Sequence, residues 1–215
     1  MNIDPVQLAL VIPILLISLS FHEYMHGRAS YLLGDPTPKQ MGRLTLNPIA
    51  HLDLVGSLVL IMTQRIGWAK PVPINPRYYS NPRKGMMLVG LAGPAANIVL
   101  AIIFSFILRF YANWQGVMIR GTRVMGFTSD LTFIIIQFLM LGIVVNLSLA
   151  VFNLIPVPPL DGSKILRGFF PPKYDMYFNR LEGPAGMLLV MALVFTEVLG
   201  RIIFPIVNFF LNILI

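Results

Sequence analysis

Apolar positions along the chain gather into long runs separated by short polar connections rich in proline and glycine. The first run, from about Pro5 to Leu33, exceeds the ~20 residues that an α-helix needs to cross a bilayer. Pro13 lies inside it as a point of bending, and Gly34-Asp35-Pro36 ends it. A second run from about Gly85 to Phe110 and a third from about Leu131 to Leu154 are also of membrane length. The last apolar stretch, Gly183 to Ile215, is interrupted by Glu197, Arg201 and Pro205. It reads either as one long span or as a span with an amphipathic end.

Two shorter segments break this regularity. Leu54 to Met62 is apolar but only about half as long as a crossing requires, which predicts a re-entrant or interfacial segment, β-like or looped, between the first and second spans. Gly67 to Pro76 contains Pro71, Pro73 and Pro76 and is excluded from helix interior, because each proline lacks a donor and biases its predecessor toward extended backbone. The pattern therefore predicts an all-α polytopic membrane protein with about four transmembrane helices, forming a single domain over residues 1–215.

Composition agrees: 56% of the residues are hydrophobic and 12% charged, at a mean hydropathy of +0.76, too apolar for an ordinary soluble domain. The net charge of +7 comes from Lys and Arg scattered through the connections rather than aligned in a stripe. That distribution argues for a lipid bilayer with anionic headgroups as the partner and against nucleic acid. Lys39, Arg43, Arg65, Lys70, Arg77, Arg83, Lys84, Lys164, Arg167, Lys173 and Arg180 fall in connections that share one side if the spans alternate. The positive-inside bias makes that side cytoplasmic in a cell-membrane protein, and the N-terminus external. The first run lacks a basic leader and a small-residue cleavage site, so it does not read as a removable signal peptide.

Within that first run stands His22-Glu23-Tyr24-Met25-His26. Residues four apart share a helix face, so His22 and His26 can offer two imidazole nitrogens to one metal, with Glu23 beside them. Charged residues in a membrane-length segment are costly and mark functional sites. The absence of cysteine removes thiolate zinc sites and leaves histidine and carboxylate as ligands. Zinc hydrolases usually take three protein ligands, and the long motif with a third downstream histidine fails here because Ala29 and Leu32 occupy the required positions. Asp161, His51 and Asp53 are the candidates. Asp161 is favoured, since it follows a proline-stiffened turn just past the third span, at the depth of the histidine pair, and Gly162 after it permits close approach. The alternative role for Asp161 is to cap a helix from about Ser163 to Phe169.

Taken together, His22 to His26, Gly42 to Asp53, Gly67 to Pro73, Gly93-Pro94-Ala95-Ala96-Asn97 and Asn153 to Gly162 resemble the site-2 protease family of intramembrane zinc metalloproteases. The likeness covers nearly the whole chain. It implies one Zn2+ held by His22, His26 and Asp161, Glu23 as general base, and Asn153 orienting substrate or stabilising the oxyanion. It also implies a membrane-protein substrate cut in or near a transmembrane segment. Many relatives add a PDZ or CBS domain, for which no stretch here has room. A substrate helix must be unwound before its carbonyls are accessible, and Leu54 to Met62 with Gly67 to Pro76 is expected to pair with the extended segment. A metal transporter would also place histidine and aspartate in the membrane, but it leaves Glu23 without a task.

Overall fold

A computed structural model describes residues 5–63, 67–120, 123–125 and 129–215. Arg65, counted above among the cytoplasmic basic residues, lies outside the described residues. The helices are α1 (Pro5–Leu32), α2 (Thr37–Gln40), α3 (Pro48–His51), α4 (Leu54–Thr63) and α5 (Pro82–Trp114). A two-stranded antiparallel pair of β1 (Met118–Arg120) and β2 (Arg123–Met125) follows, with Ile119 opposite Val124. Then come α6 (Asp130–Asn153), α7 (Asp161–Phe169), α8 (Asp175–Leu181), α9 (Pro184–Phe195) and α10 (Val198–Leu214). Among the described residues, α1, α5 and α6 are each long and apolar enough to cross a membrane. Pro172–Leu181 and α9 together form a further candidate span bent by 69°.

Local chemistry sets these boundaries. Asn81 accepts the Lys84 N–H and Pro82 opens α5, a capped start with proline where its missing donor is harmless. Ser129 caps α6 in the same way, through the Thr132 N–H. The segment 54–63 resolves the alternatives left open for it: it is a short helix and not a strand. In a mostly apolar ten-residue helix the interior backbone groups pair within the segment, which an isolated strand at a membrane surface cannot do. Leu54, Val55, Leu58 and Met62 stay outward, with Leu54 78% and Met62 82% exposed. The last apolar stretch is two helices, separated at Thr196 and Glu197, where Glu197 adopts a left-handed φ of 59°.

The core lies between α5, α6 and α10, where Ala101, Phe104 and Leu108 pack with Ile136, Ile143, Val207 and Leu211. α1 packs on the other side of α5 and also touches α6. Beneath the C-terminal half of α1, residues 67–75 run extended and are held at intervals. Ala69 bridges Leu52, the Lys70 N–H donates to His51 O, and Arg43 donates to the Lys70 and Pro71 carbonyls. Asp35, fully buried, accepts the Asn75 N–H at 2.8 Å and the Ser30 hydroxyl at 2.7 Å. Burial alone would raise the Asp35 carboxyl, but the hydrogen bonds from Asn75, Thr37 and Ser30 outweigh it and hold it below the ordinary carboxylate value.

Candidate metal centre

His22 and His26 sit one turn apart on α1, and their Nε2 atoms are 2.9 Å apart. Asp161, the first residue of α7, reaches them with Oδ2, at 3.1 Å from His22 Nε2 and 3.0 Å from His26 Nε2. All three residues are buried, and they form a cluster able to hold a metal ion. The depth match expected from the sequence is thus realised, and Asp161 does not act as a helix cap: Leu160 holds that position and the carboxylate points to the histidines. Gly162 allows the approach, since a Cβ there would lie 2.2 Å from Leu154 O.

The remaining ring nitrogens are engaged elsewhere. His22 Nδ1 donates to Asn97 Oδ1 at 2.6 Å, and His26 Nδ1 donates to the Val89 carbonyl at 2.7 Å. A neutral ring that donates from Nδ1 carries a lone pair on Nε2. Two such lone pairs and a carboxylate oxygen therefore face one another within 3.1 Å, an arrangement that is repulsive unless a cation lies among them. Tetrahedral zinc with ligands at about 2.0–2.1 Å separates its donors by about 3.3 Å, so the cluster needs to expand by only a few tenths of an ångström. Gly93 on α5 supplies the room. A Cβ at that position would stand 2.4 Å from His26 Nε2 and 2.6 Å from His22 Nε2, in the space the two donors share. The donor set and the cradle both fit zinc.

Asp161 Oδ1 accepts from Lys164 Nζ at 2.8 Å. Burial raises the Asp161 carboxyl, but His26, His22 and Lys164 outweigh it and hold the group below the ordinary carboxylate range, so it serves as an anionic donor. Glu23 is half-buried, and its Oε2 accepts the Val72 N–H at 3.0 Å, which ties it to the extended segment 67–75. Asn153 is not brought to the cluster by any hydrogen bond; its Nδ2 donates to Leu149 O at 3.0 Å within α6. The other ligand candidates have separate tasks. His51 donates from Nε2 to Thr45 O at 2.8 Å, and Asp53 accepts the Gly56 N–H at the start of α4. Glu182, outside that set, pairs with Arg167 at 3.0 Å.

Four positions at the centre received no role there from the sequence: Val72, Val89, Gly93 and Asn97, although three of them lie in stretches that carry the family resemblance. Val72 and Val89 act through backbone atoms, which residue type does not announce. Gly93 and Asn97 belong to a small-residue stretch whose ordinary meaning in a span is close helix packing. An asparagine inside a membrane-length apolar run was the one available signal that Asn97 serves a polar partner, and the structure buries it completely.

Fold and site together define a polytopic membrane protein with a two-histidine, one-aspartate centre suited to zinc. The model of Peptidase family M50 matches residues 10–193, and the chain belongs to this family, that of the site-2 proteases. The chain is 37% identical over 194 residues to a Bacillus subtilis (strain 168) protein named "Putative zinc metalloprotease YwhC", covering 90% of this chain and 84% of that one. It is 30% identical over 211 residues to "Putative zinc metalloprotease Rip2" of Mycolicibacterium smegmatis, covering 94% and 73% respectively. A "Zinc metalloprotease" of Methanocaldococcus jannaschii is 30% identical over 93 residues, 43% of this chain and 22% of that protein. No solved structure matches the chain. The protein is a zinc metalloprotease with multiple membrane-crossing helices.

Proposed function

We propose that this metalloprotease hydrolyses a peptide bond in or near a transmembrane segment of a membrane-protein substrate. In this reading His22, His26 and Asp161 hold the zinc, Glu23 is the general base, and Asn153 is the oxyanion donor. The observation that carries it is the buried convergence of the three donors beside Glu23 on a helix long enough to span a bilayer. Held there, zinc supplies Lewis acidity that brings the pKa of a water to about 7 and polarises the scissile carbonyl.

The chain's own groups do the rest. The Val72 N–H holds Glu23 Oε2 in one orientation, and the carboxylate takes the proton of the attacking water and passes it to the departing amine. His22 and His26 are kept in the tautomer that faces the metal by Asn97 and the Val89 carbonyl. Asn153 releases the Leu149 carbonyl to donate to the developing oxyanion, a contact worth a few kcal/mol by analogy with other oxyanion donors. Residues 67–75 lie extended beside Glu23 and offer an edge along which an unwound substrate segment pairs. The cytoplasmic side of the cell membrane is the side proposed for this centre, and the excess of Lys and Arg in the connections next to it supports that reading.

The test is cleavage of a panel of single-span reporter proteins in liposomes by wild type and Glu23→Gln, with bound zinc measured in both. The expected result is full zinc retention and a loss of cleavage of about 10²–10⁴-fold in the variant. Equal cleavage by the two proteins rejects the role of Glu23, and a wild type that binds no zinc rejects the whole assignment.

A further inference from the structure

A line of buried amides runs from the third span to the metal centre. Asn146 Nδ2 on α6 donates to the Gly142 carbonyl at 2.8 Å. Asn146 Oδ1 accepts from Asn97 Nδ2 on α5 at 3.0 Å, and Asn97 Oδ1 accepts from His22 Nδ1 on α1 at 2.6 Å. Asn97 and Asn146 are both wholly inaccessible. An amide has one donor end and one acceptor end, and a backbone carbonyl only accepts. The Gly142 carbonyl therefore fixes which end of Asn146 faces it, Asn146 fixes Asn97, and Asn97 fixes the proton of His22 on Nδ1. The lone pair of His22 is left on Nε2, toward Asp161 and His26.

Resting on the zinc assignment above, we infer that Asn146 is a positioning residue that sets the His22 tautomer through Asn97 from a different span, and thereby sets zinc affinity. Asn146 touches neither His22 nor the other two donors. Without it, Asn97 keeps only a long contact from Nδ2 to Ser18 O at 3.4 Å, and its amide is free to turn. Turned, Asn97 presents N–H to His22 Nδ1, which must then carry the lone pair and leave the proton on Nε2, where it blocks ligation. Three spans thus share one proton-ordering network, and a change on α6 is read out on α1.

Two substitutions separate this role from simple packing. Asn146→Leu keeps the approximate volume and removes both polar ends. Asn146→Gln keeps a neutral amide at every pH, and with it a donor for Gly142 O and an acceptor for Asn97. Zinc affinity of the purified protein is measured by competition with a chelator. The tautomers are read from nitrogen NMR of histidine-labelled, metal-free protein at about pH 9, where imidazoles are neutral. The chain has three histidines, so three rings are followed. The expected result is a 10–100-fold loss of zinc affinity in Asn146→Leu, with the His22 proton moved from Nδ1 to Nε2, and a smaller loss with the wild-type His22 tautomer in Asn146→Gln. Unchanged affinity in Asn146→Leu overturns the inference, as does an unchanged His22 tautomer or an equal loss in both variants. Because the tautomer is read without metal, these results are independent of whether the wild type proves to be a protease.

Discussion

Substituting Gly93 with alanine adds one methyl group at the point where α5 meets the two histidines. Its Cβ would stand 2.4 Å from His26 Nε2 and 2.6 Å from His22 Nε2. An ordinary carbon–nitrogen contact is about 3.4 Å, so each ring must retreat by roughly 0.8–1.0 Å. Metal sites hold their ligand distances to about 0.2 Å, so a displacement several times larger removes ligation by at least one imidazole. The expected loss in zinc affinity is on the order of 100-fold or more, about 3 kcal/mol. The helix itself gains, because alanine in a helix interior is favoured over glycine by roughly 0.5–1 kcal/mol. Gly200→Ala on α10, where nothing lies within 4 Å of an added Cβ, is the control for that gain. Chelator competition measures zinc affinity, and thermal unfolding of the metal-free proteins measures the fold. A Gly93→Ala protein that binds zinc as tightly as wild type would refute the placement of the ion against α5.

Replacing His51 by phenylalanine leaves zinc binding intact, because the ring serves Thr45 O and lies outside the cluster. The expected cost is about 1–3 kcal/mol of stability, read by thermal unfolding, and a lost zinc would contradict it. Val72→Pro deletes the N–H that orients Glu23 Oε2, so cleavage is expected to fall by about tenfold while zinc content stays constant; retained activity would remove that N–H from the account. Asp35 predicts an acid-side instability. Its folded pKa is depressed, so its stabilising contribution is complete above the unfolded value of about 3.9 and is lost as pH falls through the lower folded value. Asp35→Asn is expected to be less stable than wild type at pH 7 and to lose this acid dependence. A wild type and variant with parallel stability–pH curves would disprove it.

The sequence by itself determined the membrane-length helices, because length and apolarity are additive local properties that a bilayer reads directly. It determined His22 and His26 as a pair, because helix periodicity alone puts residues four apart on one face. Asp161 was legible one step less directly, through its position just past a span of matching depth. The spans Gly85–Phe110 and Leu131–Leu154 read from hydropathy begin inside α5 and α6, because apolarity marks the run and not the polar caps Asn81 and Ser129 that start the helices. What only the tertiary structure decided is everything that depends on which spans touch. Asn97 and His22 are 75 positions apart, and Asn97 and Asn146 are 49 apart, so no local pattern pairs them. The hold of Val72 on Glu23 and of Val89 on His26 passes through main-chain atoms that every residue type carries. Segment 54–63 is helix rather than strand because among the described residues it belongs to no sheet, so its backbone pairs along the helix, a fact about its surroundings and not its residues. Gly93 reads as packing until the two rings are in place above it. A metal centre of this kind is encoded locally in its ligands and non-locally in their orientation, because ligand identity belongs to single residues while orientation is a property of contacts between helices.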